Sequence, residues 1–338
     1  MGLAPELLRR SDARREVRTA VTLRYALSRV GWTVVVAWAV LTAVFAVVAF
    51  TRDPNEAGVA FAAAQTGENV SEAVDTFRAA RNRDAPALAR YADFLWDVVR
   101  LRLGRSFESG RPVAAVLVES SGVTAAYAVP AVVVSTLCSG VVGSYAALSD
   151  SRLFDRLVGL VAYAGLGLPA FWVAVTLSAL VATEYDALVR YATAAGPLSP
   201  GNRRYLAFTA LVLGTTLFPT QLRHVRTQVD EHARAEFART VRAKGAGRAR
   251  VARHVVRNAL LPLASLFVAE LLGLLFLGAF VLEVVLSVPG LGSALFDAVQ
   301  RRDLPVVMGA TLVFVALGLA GTLLQDLLRT TLDPRIAE

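Results

Sequence analysis

Residues 120–149 read SSGVTAAYAVPAVVVSTLCSGVVGSYAALS, without one Asp, Glu, Lys or Arg. A helix rises about 1.5 Å per residue, and a hydrocarbon core about 30 Å thick needs about 20 apolar residues to cross. This stretch is long enough. Four more charge-free runs occupy residues 30–51, 157–183, 205–222 and 304–325, and a sixth, 258–282, is broken only by Glu270. Length alone would fit roughly two soluble domains. The runs exclude that reading. So does the composition: 18% of the 338 residues are charged and the mean hydropathy is +0.53, where a soluble domain carries about 25% charged residues. The chain reads as an all-α, polytopic membrane protein with six transmembrane helices, at 31–50, 123–148, 157–183, 205–222, 259–286 and 305–327. Pro130 and Pro169 are placed to kink the second and third.

The net charge of +8 would suggest nucleic acid in a soluble chain. In a membrane chain a basic excess belongs to cytoplasmic loops, so no nucleic-acid partner is expected. Lys244 is the only lysine. Cys138 is alone inside an apolar run, which excludes an internal disulfide or cysteine metal site and reads as packing. The first run is long enough to span and has no clear cleavage site after it, so no cleavable signal peptide is expected.

Orientation follows from the basic residues beside the runs. The segment before Val30 holds seven Arg against three acidic residues, and residues 223–257 hold ten basic residues against Asp230, Glu231 and Glu236. With six spans, both termini share one side with that loop, and the positive-inside rule makes it cytoplasmic. Residues 51–119 hold nine Arg against ten acidic residues and belong outside. The organisation expected is a cytoplasmic N-terminal segment at 1–30 and a six-span domain at 31–338. That domain includes an external loop at 51–119 and a cytoplasmic loop at 223–258. Within the external loop, Asp84 and Pro86 mark a helix start. Leu88, Tyr91, Leu95, Val98 and Val99 recur at helical spacing, and Gly104 can end the helix.

Much catalytic chemistry is missing. A phosphate-binding loop needs Gly-Lys-Ser/Thr, whereas Lys244 lies between Ala243 and Gly245. His224, His232 and His254 match no zinc spacing, and no Gly-x-Ser-x-Gly elbow occurs. No catalytic residue, metal ligand or cofactor is assigned. The informative stretch is 236–262, EFARTVRAKGAGRARVARHVVRNALLP. It reads as two short basic helices meeting at a glycine turn around Gly245 and Gly247. On physics alone it is either a compact knob or a solvated basic loop drawn to anionic headgroups.

Here the chain resembles a family. RTVRAKG (239–245) followed by RHVVRNALLP (253–262) is similar to the coupling, or EAA, loop of dipeptide/oligopeptide-type ABC-importer permeases. In chain order, GLGLPAFW (165–172), VPGLG (288–292), RDLPVV (302–307) and LDPRI (332–336) resemble further family motifs. Val241 and Val288 depart from the family's alanine and tryptophan, and Glu270 stands where the family often has glutamine. The resemblance implies a permease subunit that forms half of a pathway for peptides or similar solutes and is not itself an enzyme. The implied partners are a second homologous permease, two ATPase subunits, an external solute-binding protein and the bilayer of the plasma (inner) membrane. It places Arg239, Thr240, Arg242, Ala243, Lys244 and Gly245 at the ATPase contact. Pro262 is expected in the first turn of the fifth span. Glu270, deep in that span, either lines the pathway or makes an interhelical hydrogen bond as a neutral acid. Glu283 is expected at the membrane interface. An ATP-independent secondary transporter or channel is the rival, and such proteins usually show repeats and several intramembrane charges. The solute is not legible.

Single cysteines at Asp75 and His232, in a Cys138→Ala background, are predicted to react with impermeant reagent from opposite sides of intact cells. Labelling of both from one side would overturn the six-span arrangement.

Overall fold

The computed structural model describes residues 28, 31–47, 49–51, 54–81, 84–182, 190–193, 195–197, 199–273 and 278–332. Nearly all of the N-terminal segment and residues 333–336 of the closing motif therefore lie outside the described residues. The protein is an all-α polytopic membrane protein, with no β-strand among the described residues. The chain packs as two units, residues 1–94 and 95–338.

In the first unit, α1 (Gly31–Val47) is an apolar helix. Its Trp32, Val36 and Trp38 are exposed, as lipid-facing side chains must be, while Leu41 and Phe45 are buried. Phe45 packs on Tyr91 and Phe94, with ring centroids 5.2 and 5.9 Å apart, and Thr42 hydrogen-bonds the Tyr91 hydroxyl. α2 (Pro54–Thr66) and α3 (Val70–Ala80) follow. Asn69 starts α3 by accepting from the Ser71 N–H at 3.1 Å, the usual device for a free first-turn donor. The sequence reading saw neither helix. It did expect α4 (Ala87–Val99), which ends at Val99 and not at Gly104, because Leu101 already takes a left-handed conformation at φ 54°.

The second unit is built on two long helices, α5 (Val113–Leu148) and α8 (Pro200–Arg234). Their 36 and 35 residues extend to about 54 and 52 Å, well beyond a bilayer core. They pack side by side around Tyr127, Ala131, Tyr205, Val212 and Leu213. Close approach needs glycine: a Cβ on Gly143 would lie 2.9 Å from Val225. Between them Gln221, 2% exposed, accepts from Ser135 at 2.8 Å and from Ser139 at 3.4 Å. A buried amide with no water available has to find such partners.

The third span is not one helix. α6 (Arg152–Leu166) and α7 (Ala170–Ala182) meet at about 100°. Pro169 sits at the break; it has no N–H to give and disfavours helix in the residue before it. Gly165 ends α6 directly against α8, where an added Cβ would lie 2.2 Å from Cγ of Pro219. Cys138 is exposed and lines a groove of about 900 Å3 between α5, α6 and α8, so it is not core packing.

α9 (Glu236–Ala243) is a short helix between α8 and α10 (Arg248–Gly273). Pro262 lies inside α10, not at the start of a separate span, and the axis bends by 44° there, as a missing donor inside a helix predicts. α11 (Ala279–Leu286), α12 (Leu291–Gln300) and α13 (Leu304–Leu332) complete the chain. α11 and α12 form a hairpin bent by 72° at the VPGLG sequence. Among the described residues α5, α8 and the apolar part of α13 are each long and apolar enough to cross a membrane; counting each bent pair as one span gives up to six, a set that leaves out the shorter α1.

Gly165→Ala is expected to lower thermal stability by about 1–3 kcal/mol, the usual cost of overpacking. Gly140→Ala meets nothing within 4 Å and should be neutral or slightly stabilising, because alanine favours helix by about 1 kcal/mol. Unfolding of the two purified variants in the same detergent measures the contrast.

Candidate coupling site and its supports

α8 does not stop at the end of its apolar run. Val225, Val229 and Ala233 stay buried on one face and form a second core with Ala238 of α9 and Val251, Val255, Ala259 and Leu263 of α10. The expectation of two short basic helices is therefore corrected. α9 alone is short, and the helices on either side are continuous with the membrane-facing bundle. The reason is the i, i+4 apolar spacing of 225–229–233 and 251–255–259–263, which gives each helix a face to bury beyond the bilayer.

Three local devices build α9. Ala235 interrupts the helix, and Arg242 reaches back to donate to the Ala233 carbonyl at 3.1 Å. That covers an acceptor left open at the end of α8 and places a cation at a helix C-terminus. Ala238 is buried and holds α9 against its neighbours. At the other end, Gly245 has φ +76°. Its N–H donates to Arg242 O at 2.9 Å and the Ala246 N–H to Val241 O at 3.3 Å. This pair of bonds is the Schellman closure, with Val241 and Ala246 supplying its apolar contact. A non-glycine residue at that φ costs roughly 1–2 kcal/mol.

The six residues singled out in the sequence, Arg239, Thr240, Arg242, Ala243, Lys244 and Gly245, are all exposed and all lie on α9 or its terminal turn. They are not equivalent. Thr240 donates to Glu236 O at 3.0 Å, and Arg242 serves the α8–α9 turn. Arg239, Ala243 and Lys244 are the side chains presented outward. Glu270 does not join this group: it lies on α10, and its side chain is outside the described residues.

Two ion pairs that the sequence reading missed tie α6 and the α5–α6 turn to the same end. Arg226 on α8 donates to both oxygens of Asp155 on α6, at 2.6 and 2.8 Å. The hydrogen bond and the adjacent charge raise the guanidinium pKa above its ordinary value. Arg248 pairs with Asp150 at 3.0 Å, fully in solvent. The signal was present: Asp150 and Asp155 are the acids between two apolar runs that end opposite the basic segment.

The far end of the second unit is organised around carboxyl groups. Glu283 is fully buried within the protein. Its Oε1 accepts from Thr124 at 2.6 Å and Tyr127 at 2.7 Å, and its Oε2 from the N–H groups of Gly292 at 2.6 Å and Ser293 at 3.0 Å. Leu291 N–H donates to Thr124 Oγ1 at 2.8 Å. The first N–H groups of α12 are thus capped from two neighbouring helices. Gly290 and Gly292 are required here, since a Cβ on Gly290 would lie 2.1 Å from Oε1 and one on Gly292 2.7 Å from the Phe280 backbone. Asp303, at the start of α13, accepts from Ser106 and from the N–H groups of Phe107 and Glu108. That clips the turn before α5 to the RDLPVV sequence. Beside Asp303 opens a cavity of about 260 Å3 whose lining includes Ser120, Ser293, Asp297 and Arg301.

Comparison with known proteins is consistent with this architecture. The family described as binding-protein-dependent transport system inner membrane component matches residues 139–338, more than half of the chain. The dipeptide transport system permease protein DppB of Escherichia coli (strain K12) is 31% identical over 278 residues, covering 75% of this chain and 82% of that protein. A protein of Brucella suis biovar 1 (strain 1330), provisionally named a peptide permease, is 30% identical over 273 residues, covering 78% and 84%. With its apolar helices, its motif order and this match, the chain belongs to the binding-protein-dependent transport system inner membrane components, as a permease subunit of an ABC importer.

Proposed function

We propose that the chain forms half of an import pathway for peptides, paired with a second homologous permease, and that α9 docks on one of two separate ATPase subunits. The observation that carries this reading is the construction of α9: an exposed tip closed by Gly245 and seated on a core shared with α8 and α10. A docking element must be exposed to be reached and rigidly joined to the spans to move them. Arg239 and Lys244 offer cations for acidic groups on the ATPase, and Ala243 leaves room for close approach. An external solute-binding protein delivers the solute on the opposite side. The membrane is the plasma (inner) membrane, with both termini and residues 223–258 cytoplasmic and residues 51–119 external. Peptides are the proposed solute class because the relatives carry that name. Glu270 is the proposed pathway-lining group on α10.

Gly245→Val tests the docking role, because a β-branched side chain resists positive φ. Membrane insertion should be retained, while ATPase co-purification and dipeptide uptake fall about tenfold. Gly245→Asn should keep most of both, since asparagine tolerates the left-handed region. Equal ATPase recovery and uptake in the Val variant would remove Gly245 and α9 from the coupling path.

A further inference from the structure

The basic segment contains a second surface, separate from the α9 tip. Along α10, Val251, Val255 and Ala259 are buried. On the opposite side Arg250, Arg253, His254 and Arg257 are exposed. The spacing of 250, 253 and 257 puts the three guanidinium groups on one stripe of the helix. Arg248 pairs with Asp150, but among the described residues no carboxyl group pairs with Arg250, Arg253 or Arg257.

The stripe continues without a break into apolar surface. Leu260 follows Arg257 at helical spacing on the same side and is 56% exposed. Residues 258–282 are the apolar run itself. Arg257 therefore stands at the edge of the hydrocarbon. Arg253 lies about 6 Å and Arg250 about 10 Å further along the axis. The headgroup layer on one side of a bilayer is about 5–8 Å deep, and an arginine stem can reach several ångströms toward it. With α10 along the bilayer normal, two of the three guanidinium groups would fall in the layer where phospholipid phosphates lie, and the third would reach its edge.

We propose that this α10 stripe is a binding surface for anionic phospholipid headgroups. The planar guanidinium donates two parallel hydrogen bonds to a phosphate. The exposed leucine beyond Arg257 would rest on the acyl chains of the same lipid. A protein partner would need carboxyl groups opposite the arginines and a separate apolar patch opposite Leu260, whereas one phospholipid supplies a phosphate and an acyl chain in that order. That requirement is why the stripe, unlike the α9 tip, is assigned to lipid. The consequence is mechanical: the helix joining α9 to the fifth span is held at the membrane surface by charge, and tilting it has to break or drag these contacts.

The test uses the full-length chain, purified in detergent with equal phosphatidylglycerol and phosphatidylcholine, washed and weighed intact by native mass spectrometry. The unaltered chain should retain phosphatidylglycerol in clear excess, and less of it as salt rises. Near an anionic surface each arginine contributes a factor of about five. The triple variant Arg250→Gln, Arg253→Gln, Arg257→Gln should therefore lose at least about tenfold of that retention. The matching triple change to lysine should keep most of it. The Arg239→Gln, Lys244→Gln variant on the α9 tip should keep all of it. The assignment is overturned if the unaltered chain shows no lipid preference, or if the tip variant loses as much as the stripe variant. It is also overturned if the stripe variant keeps its phosphatidylglycerol while losing ATPase co-purification, which would make the surface a protein contact.

Discussion

A polar group buried in the protein has to find its partners there, and Glu283 shows what that constraint demands. Its carboxyl group sits at zero exposure because two side chains of α5 and two backbone N–H groups of α12 converge on it. Each such bond contributes roughly 1 kcal/mol net, and a buried donor left open costs about 1–3 kcal/mol. The α11–α12 hairpin can therefore take its bend only where these partners stand. Glycine at 290 and 292 follows from the same contact, because the carboxyl group occupies the space a side chain would need. Glu283 thereby fixes the entry of α12, and a second carboxyl group, Asp303, fixes the meeting of α13 with the turn before α5.

The α5–α8 pair connects that end of the second unit to the other. Gln221 with Ser135 and Ser139 locks the two helices in register, and Gly143 and Gly165 let backbones approach where any larger residue would separate them. α8 then carries the same packing past the apolar region into Val225, Val229 and Ala233, where α9 is seated. On the α8 side the helices are interrupted only at Ala235 among the described residues. Arg242 bridges the one interruption, and the Arg226–Asp155 pair takes α6 along.

The fold was legible where physics is local. Charge-free runs long enough for a bilayer marked α5, α8 and α13, Pro169 marked the break between α6 and α7, and Gly245 marked the end of α9. α2 was not legible as a helix, because it is rich in alanine and small residues with no clear periodicity, whereas α3 carries both an amphipathic pattern and a capping Asn69. The burial of Glu283 could not be read either. Its partners Thr124 and Tyr127 lie more than 150 positions away, and a carboxyl group near a span end is ordinarily interfacial. Arg226 was counted only as one more positive charge in a basic loop, since its pairing with Asp155 depends on how α6 folds back. The knob's outline was visible in RTVRAKG. The division of labour within it was not: Arg242 holds the turn, while Arg239, Ala243 and Lys244 face outward.

The central claim is that α9 is the surface that meets the ATPase. Site-directed cross-linking tests it most directly. A cysteine replaces Ala243 in a Cys138→Ala chain co-expressed with its ATPase, and a second chain carries its cysteine at Ser109, exposed on the turn before α5. The account predicts that a short thiol-to-amine cross-linker joins the ATPase to position 243, with a yield that changes when ATP is added, and never to position 109. No cross-link from 243 in an assembled, transporting complex, or equal cross-linking from both positions, would contradict it.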